Sequence, residues 1–215
     1  MAKTTETIGE FTMNILTAEQ YADAKKNNQI DPNQLYFTPE KKLVVAVSQD
    51  EYEAAALRAL RSGWYVLGKE LESFEQAFSS YIGMEYGVGV NSGQDSLILA
   101  VRALGIGPGD EVIVQANAYI ASVLGITENG ATPIFVESDP YFGVDMEAVE
   151  RAITPRTKAI LPVHLYGQPC DLESLRDIAD RHGLYLIEDC AQCHGATQNA
   201  RKAGTFGDVS CFSFY

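Results

Sequence analysis

The sequence predicts an α/β protein: a mostly parallel sheet covered by helices on both faces, preceded by a small polar appendage. Three observations carry this expectation. From Glu51 onward the pattern is regular, and after two helical stretches short apolar runs alternate with helical ones, the order that βα units around a parallel sheet produce. Turn-forming clusters rich in Gly, Pro and Asn punctuate the alternation. Before residue 46 that pattern is absent, and the chain is polar and rich in Asn, Gln and Lys.

Residues 1–45 read as an appendage of unassigned role. They hold one helical stretch, Thr17–Asn27, and a segment, Leu35-Tyr36-Phe37, enclosed by Asp31-Pro32 and Thr38-Pro39. Next, Ala54, Ala55, Leu57, Ala59 and Leu60 fit a helix stopped by Ser62-Gly63. Leu71, Phe74, Ala77, Phe78 and Tyr81 recur at i, i+3, i+4 spacing and predict a second helix, ended at Gly83. Strands are then predicted at Tyr86–Val90, Glu111–Val114, Pro133–Val136, Ala159–Val163, Tyr185–Glu188 and Val209–Phe214. Helices are predicted between them at Gln94–Leu104, Ile120–Asn129, Met146–Ile153 and Leu172–His182. The turns Gly105–Asp110, Asn129-Gly130 and His182-Gly183 separate several of these.

Composition excludes several function classes. Of 215 residues, 16 are Lys or Arg and 29 are Asp or Glu, a net charge of −13. A protein that tracks nucleic-acid phosphates or anionic lipid needs concentrated basic residues, so neither partner is expected. No apolar run approaches the roughly 20 residues of a membrane-spanning helix, and the opening residues lack the basic-then-apolar order of a signal peptide. A cytoplasmic protein acting on small molecules is the expectation. Cys170, Cys190, Cys193 and Cys211 are then expected as reduced thiols. Cys190, Cys193 and His194 do match the C-x-x-C-H spacing of covalent haem attachment. The buried strand predicted just before them argues for packing instead. A zinc site would need a second ligand pair, and the sequence offers only scattered His164, Cys170 and Cys211. No metal is expected.

Ligands of an open α/β sheet sit beyond the carboxyl ends of its strands, so the residues just after each strand are the informative ones. After Tyr86–Val90, Asn91-Ser92-Gly93-Gln94-Asp95 opens a helix, whose free N–H groups and positive dipole end suit a phosphate; Asn91 or Ser92 as an ordinary cap is the bland alternative. After the second strand, Tyr119 is placed to stack on a planar ligand or to pack in the core. After the fourth comes His164, a pocket residue or a hydrogen-bonded structural one. After the fifth, Glu188 and Asp189 end a buried strand, where an acid is costly unless paired; a cationic partner is expected, and a protonated heteroaromatic nitrogen would serve. Ser213 could add a hydroxyl to the phosphate site.

Taken together, these stretches resemble the nucleotide-sugar aminotransferases of the DegT/DnrJ/EryC1/StrS family. The segments that carry the resemblance are Gly63–Gly68, Gly105–Val114, Gly130–Pro133, Ala152–Ile160, Pro162–Pro169, Ile187–Gln192 and Phe212–Tyr215. It implies the large domain of fold type I, a mostly parallel sheet between helices, over residues 46–215. It also implies pyridoxal 5'-phosphate as cofactor, with a nucleotide-sugar substrate, an amino donor (glutamate in this reading) and a homodimer. By resemblance Asp189 would pair with the pyridinium nitrogen, Gln192 would reach the ring 3-oxygen and Tyr119 would stack on the ring. Gly93, Gln94 and Ser213 would hold the phosphate. The family commonly has Thr where this chain has Gln94, which removes a hydroxyl contact but leaves the backbone N–H. Ser92, His164 and His194 form a second tier. Residues 116–121 look most like members that aminate 3-keto-6-deoxy sugars on dTDP.

The resemblance places the lysine that forms the Schiff base past Tyr215, and none of the eight lysines present sits in that context. No catalytic residue is therefore expected within the chain, which would be incomplete at its C-terminus and inactive by itself. Two alternatives stand beside the aminotransferase: a dehydratase of the same family, with His at the lysine position, and a non-catalytic binding module that keeps only ligand affinity.

Overall fold

The computed structural model describes residues 4–8, 11–15, 26–27, 36–37, 43–44 and 49–215. The chain divides into two compact units, Met1–Glu70 and Leu71–Tyr215. In the first, β1 (Thr4–Ile8), β2 (Phe11–Ile15), β3 (Tyr36–Phe37) and β4 (Leu43–Val44) form a sheet in that order. β1 and β2 are antiparallel, β2 and β3 parallel, β3 and β4 antiparallel. Of the predicted helix Thr17–Asn27, all but Lys26 and Asn27 lies outside the described residues. Helix α1 (Gln49–Ser62) closes at Gly63, whose φ of 65° is the left-handed stop anticipated from Ser62-Gly63.

Helix α2 (Lys69–Ile82) leads into the second unit. There follow α3 (Gly93–Ala103), β5 (Glu111–Gln115), α4 (Ile120–Thr127), β6 (Thr132–Val136), α5 (Met146–Ala152), β7 (Thr157–Leu161), a single 3-10 turn (Leu165–Gly167), α6 (Leu172–His182), β8 (Tyr185–Asp189), β9 (Thr197–Gln198), β10 (Arg201–Lys202) and β11 (Val209–Cys211). The main sheet runs β11-β8-β7-β5-β6, and every neighbouring pair is parallel. The α/β class with a mostly parallel sheet between helices is what the sequence predicts.

Strand alternation builds two cores, because successive side chains point to opposite faces. Ile113, Ile160 and Leu186 face one side, where α5 and α6 supply Val149, Leu172, Leu175, Ile178 and Ala179. Val112, Val114, Ala159, Leu161 and Ile187 face the other, against Leu97, Ala100 and Val101 of α3 and Ile126 of α4. Both faces are covered, so these strands read as continuous apolar runs. Side-chain caps start the helices where the sequence offers them: Ser92 accepts from the Asp95 N–H, Asp145 from Ala148 and Asp171 from Ser174. Helices α3 and α4 cross so closely that a Cβ on Gly125 would lie 2.7 Å from Leu97 Cβ. Gly125→Ala is expected to cost about 1–3 kcal/mol through overpacking, read as a lower midpoint of chemical unfolding.

Three predicted strands differ from the structure by more than one residue at an end. Tyr86–Val90 is not a strand: among the described residues no strand lies alongside to complete a ladder, and Tyr86, Val88 and Val90 are exposed. Val209–Phe214 shortens to Val209–Cys211, because its sole partner β8 ends at Asp189, opposite Cys211. Ala159–Val163 moves back to Thr157–Leu161: Leu161 is the last residue paired with β5, and Pro162 has no N–H to give. The β9–β10 hairpin has no counterpart in the prediction. Its turn holds Asn199 and Ala200 at φ 49° and 63°, a geometry usually announced by Asn-Gly.

The topology also fixes where a ligand belongs. From β5 the chain first adds β6 on one side, then β7, β8 and β11 on the other. Strand order thus reverses at β5 and β7, and the crevice beyond their carboxyl ends is the switch point where open α/β sheets bind ligands.

Candidate functional site

Four elements converge on that end of the sheet. The chain leaving β5 passes through Asn117 and Tyr119 into α4, and Tyr119, largely exposed, occupies the cap position of that helix without a side-chain cap bond. Gln115, the last residue of β5, is fully buried and ties the switch point shut: its Oε1 accepts the Val163 N–H at 2.9 Å. β8 ends in Glu188 and Asp189, whose side chains go separate ways as strand alternation requires.

Asp189 is 4% exposed. Its Oδ2 accepts the Ser122 hydroxyl of α4 at 2.7 Å, and its Oδ1 accepts the Ala191 N–H at 3.1 Å. Burial pushes the Asp189 carboxyl above its ordinary value, against the pull of the Ser122 and Ala191 donors. Among the described residues no lysine or arginine pairs with it. The cation expected from the sequence is therefore not supplied by an Arg or Lys ion pair.

Glu188 is fully buried and has a different fate. Its Oε1 accepts the Phe206 and Gly207 N–H groups at 2.8 and 2.6 Å, while Oε2 accepts the Gly204 N–H at 2.7 Å and faces His164 Nε2 at 3.1 Å. His164 Nδ1 accepts the Cys170 N–H, so its proton sits on Nε2 and is given to Glu188. Burial alone would push the Glu188 carboxyl up, but His164 and these backbone donors outweigh it and hold the carboxyl below its ordinary value. His164 is thus a structural member of this network. His164, Glu188 and Cys190 place ligand-type atoms within 4.8 Å of one another, yet the His and Glu atoms are already committed to hydrogen bonds and burial pushes the Cys190 thiol well up. A metal would have to break that network. Cys190 and Cys193 are buried free thiols, closed to haem attachment, and burial lifts Cys170 and Cys211 to about 12.

Gln192 lies exposed at the crevice, and its Oε1 accepts the Tyr166 N–H at 2.9 Å. That bond fixes the amide, leaving the NH₂ as the outward donor. Tyr166 reaches it from a left-handed backbone, φ 58°. At the start of α3, Ser92 spends its hydroxyl on the cap, accepting from the Asp95 N–H and donating to the Asp95 carboxylate. The Ser92 carbonyl accepts from Ser96, so Gly93 and Gln94 hold the first-turn N–H groups. Ser213 abuts them: a Cβ on Gly93 would lie 2.7 Å from Ser213 Cβ and 3.0 Å from its Oγ. His194 is exposed and packs its ring against Phe78, Phe212 and Phe214. A cavity of about 230 Å³ adjoins Gly93 and Ser213, lined also by Glu75, Gly89, Ser92 and Phe214, and neither Asp189 nor Tyr119 nor Gln192 borders it.

The structure thus joins Gly93 with Ser213, and Asp189 with the helix that Tyr119 opens. Sequence reasoning passed over Ser122. No sequence signal marks it, because a serine in a helix gains this role only through its tertiary contact with Asp189.

The family profile described as the DegT/DnrJ/EryC1/StrS aminotransferase family matches residues 47–215. A transaminase of Streptomyces venezuelae named for dTDP-3-amino-3,4,6-trideoxy-alpha-D-glucose is 55% identical over 166 residues, covering 77% of this chain and 44% of that protein. The crystal structure of S. venezuelae DesV in complex with ketimine intermediate superposes with a TM-score of 0.76 at 54% identity, over 78% of this chain and 45% of DesV. The structure of NtdA from Bacillus subtilis with bound cofactor PMP gives 0.68 at 39% identity, over 74% and 37%. This chain spans less than half the length of these relatives. No helix among the described residues is long and apolar enough to cross a membrane. With the match over residues 47–215, the chain belongs to the DegT/DnrJ/EryC1/StrS aminotransferase family.

Proposed function

We propose that this chain supplies the cofactor-holding part of a sugar aminotransferase: the pyridoxal phosphate site for transfer of an amino group to a keto sugar carried on a nucleotide. The finer reading takes a dTDP-linked 3-keto-6-deoxyhexose as acceptor and glutamate as donor, within a homodimer of cytoplasmic location. The observation that carries it is Asp189, an enclosed carboxylate at the carboxyl end of β8, the strand next to β7, whose two hydrogen-bond donors are neutral. A group that costly to bury is accounted for by a cation arriving from outside the chain, and a protonated pyridine nitrogen is one.

The residues present fit pyridoxal phosphate. When bound, that cofactor supplies an electron-withdrawing pyridinium that eases loss of a proton from the carbon next to the amine. Asp189 would keep the proton on the ring nitrogen. The Gln192 NH₂, oriented by the Tyr166 N–H, would donate to the ring 3-oxygen. Tyr119 would cover one ring face. The Gly93 and Gln94 N–H groups and the Ser213 hydroxyl would hold the phosphate at the start of α3, where the dipole favours an anion. The close approach of Gly93 to Ser213 is a cradle that a side chain at 93 would fill.

Pyridoxamine 5'-phosphate tests this directly, because it binds by these contacts and needs no lysine. The full 215-residue chain is expected to bind it with one site, and to bind pyridoxamine, which lacks the phosphate, at least about tenfold more weakly. Equal affinity for the two, or no binding of either, would sink the reading.

A further inference from the structure

Ser122 and Asp189 lie 67 residues apart in the chain, one in the first turn of α4 and the other at the carboxyl end of β8, yet their side chains meet in an enclosed contact of 2.7 Å. Ser122 is fully buried, so the hydroxyl was taken out of water for this bond. A serine hydroxyl has one proton, and an ionised carboxylate has only lone pairs; the proton must therefore point at Asp189. The other carboxylate oxygen takes the Ala191 N–H. Each oxygen is thus fixed by a donor from a different part of the chain, which sets the plane of the carboxylate. Both donors also favour the ionised form, whereas burial opposes it. The titratable groups around Asp189 are His164 after β7, Cys190 next in sequence and Cys211 on β11. Burial keeps the Cys190 and Cys211 thiols neutral, and His164 is spent on Glu188 and Cys170. None of them hydrogen-bonds the Asp189 side chain, whose partners are Ser122 and the Ala191 N–H.

We propose that Ser122 is the positioning residue of the site: its hydroxyl holds Asp189 ionised and aimed, ready to receive a protonated ring nitrogen. This rests on the cofactor role given to Asp189 above.

The experiment uses the full chain in its wild-type, Ser122→Cys and Ser122→Ala forms, with the Asp189 carboxyl followed by carbon-13 NMR against pH in the absence of ligand. A thiol donates more weakly than a hydroxyl and a methyl not at all, so the Asp189 midpoint is expected to rise in the order Ser, Cys, Ala. The Ala shift should be about one pH unit or more. Pyridoxamine phosphate affinity should fall in the same order, about tenfold for Ala, with the acid limb of binding moved up by the same interval. A purely structural role would lower the melting temperature without ordering these midpoints. An Asp189 midpoint unchanged in both variants would overturn the proposal, and so would a shifted midpoint with an unmoved acid limb. A wild-type chain that binds no pyridoxamine phosphate would instead overturn the cofactor role, and the carboxyl titration would still decide whether Ser122 holds Asp189.

Discussion

Glu188→Gln is expected to lower the unfolding free energy by about 3–5 kcal/mol, the range seen when one partner of a buried charged network is removed. The change is nearly isosteric, so the loss comes from hydrogen bonding and charge and not from packing. Both Glu188 oxygens accept two donors: Phe206 and Gly207 N–H on one, Gly204 N–H and the His164 ring on the other. An amide can present only one oxygen, and its NH₂ would then face two N–H groups. His164 cannot relieve this by moving its proton to Nδ1, because that nitrogen accepts the Cys170 N–H. Urea unfolding of wild type and variant at neutral pH measures the loss, with the slope m unchanged if the native state stays compact. The acid side adds a second readout. The folded Glu188 carboxyl titrates below its ordinary value, so its stabilisation is complete above the ordinary carboxylate range and is lost as pH falls toward the folded value. The gap between wild type and Glu188→Gln should therefore close as the solution is acidified. Functionally, Glu188 anchors the turn 204–207, which leads into β11 and on to Ser213. A loosened turn is expected to weaken pyridoxamine phosphate binding through the Gly93–Ser213 cradle, although Glu188 touches no ligand.

Glu188 also marks where the sequence stops being legible. Apart from the family resemblance, which singles out Asp189, Glu188 and Asp189 read alike from the sequence, as two acids ending a buried strand. Strand alternation sends them apart, one to a turn that lies far along the chain and the other to α4, and only the packed structure shows which is saturated. The α/β class was legible because strands buried on both faces carry unbroken apolar runs such as Val112-Ile113-Val114. Tyr86–Val90 carries β-formers too, but Gly87 and Gly89 interrupt them and no neighbouring strand among the described residues pairs with them, so it is no strand. The hairpin at Asn199-Ala200 was hidden because Ala occupies a position where Gly is the usual signal. At the site, Gly93, Tyr119, Asp189, Gln192 and Ser213 were singled out from their places after strands, aided by the resemblance, and the structure puts Gly93 against Ser213. What could not be read were the partners that orient them. Ser122 and the Tyr166 N–H act through tertiary contact, and a serine in a helix or a backbone N–H in a loop carries no sequence signal of its own.

Asp189→Asn should separate the demands of the fold from those of the ligand. Without ligand, Asp189 is a burdened residue: burial lifts its carboxyl above the ordinary value, so the folded chain holds the Asp189 proton more tightly than the unfolded chain does. Stability then falls as pH rises through the window from the ordinary value to the raised one, and the whole penalty is present at neutral pH. Asparagine has no charge to bury and can keep both contacts. Its oxygen accepts the Ala191 N–H, and its NH₂ donates to Ser122, whose hydroxyl turns to accept. At neutral pH the ligand-free variant is expected to unfold at a higher urea concentration than wild type, and the difference should vanish as pH falls below the ordinary Asp range. Binding should move the opposite way. A neutral amide cannot form the charge-assisted bond to a pyridinium, so pyridoxamine phosphate affinity should drop at least about tenfold. If the variant were less stable than wild type at neutral pH, burial would not be what sets the cost of Asp189. If affinity were unchanged, the ring nitrogen would not be its partner. Gain of stability with loss of affinity would place Asp189 in the service of the ligand, held there at the expense of a fold that Glu188, one residue earlier, helps to keep together.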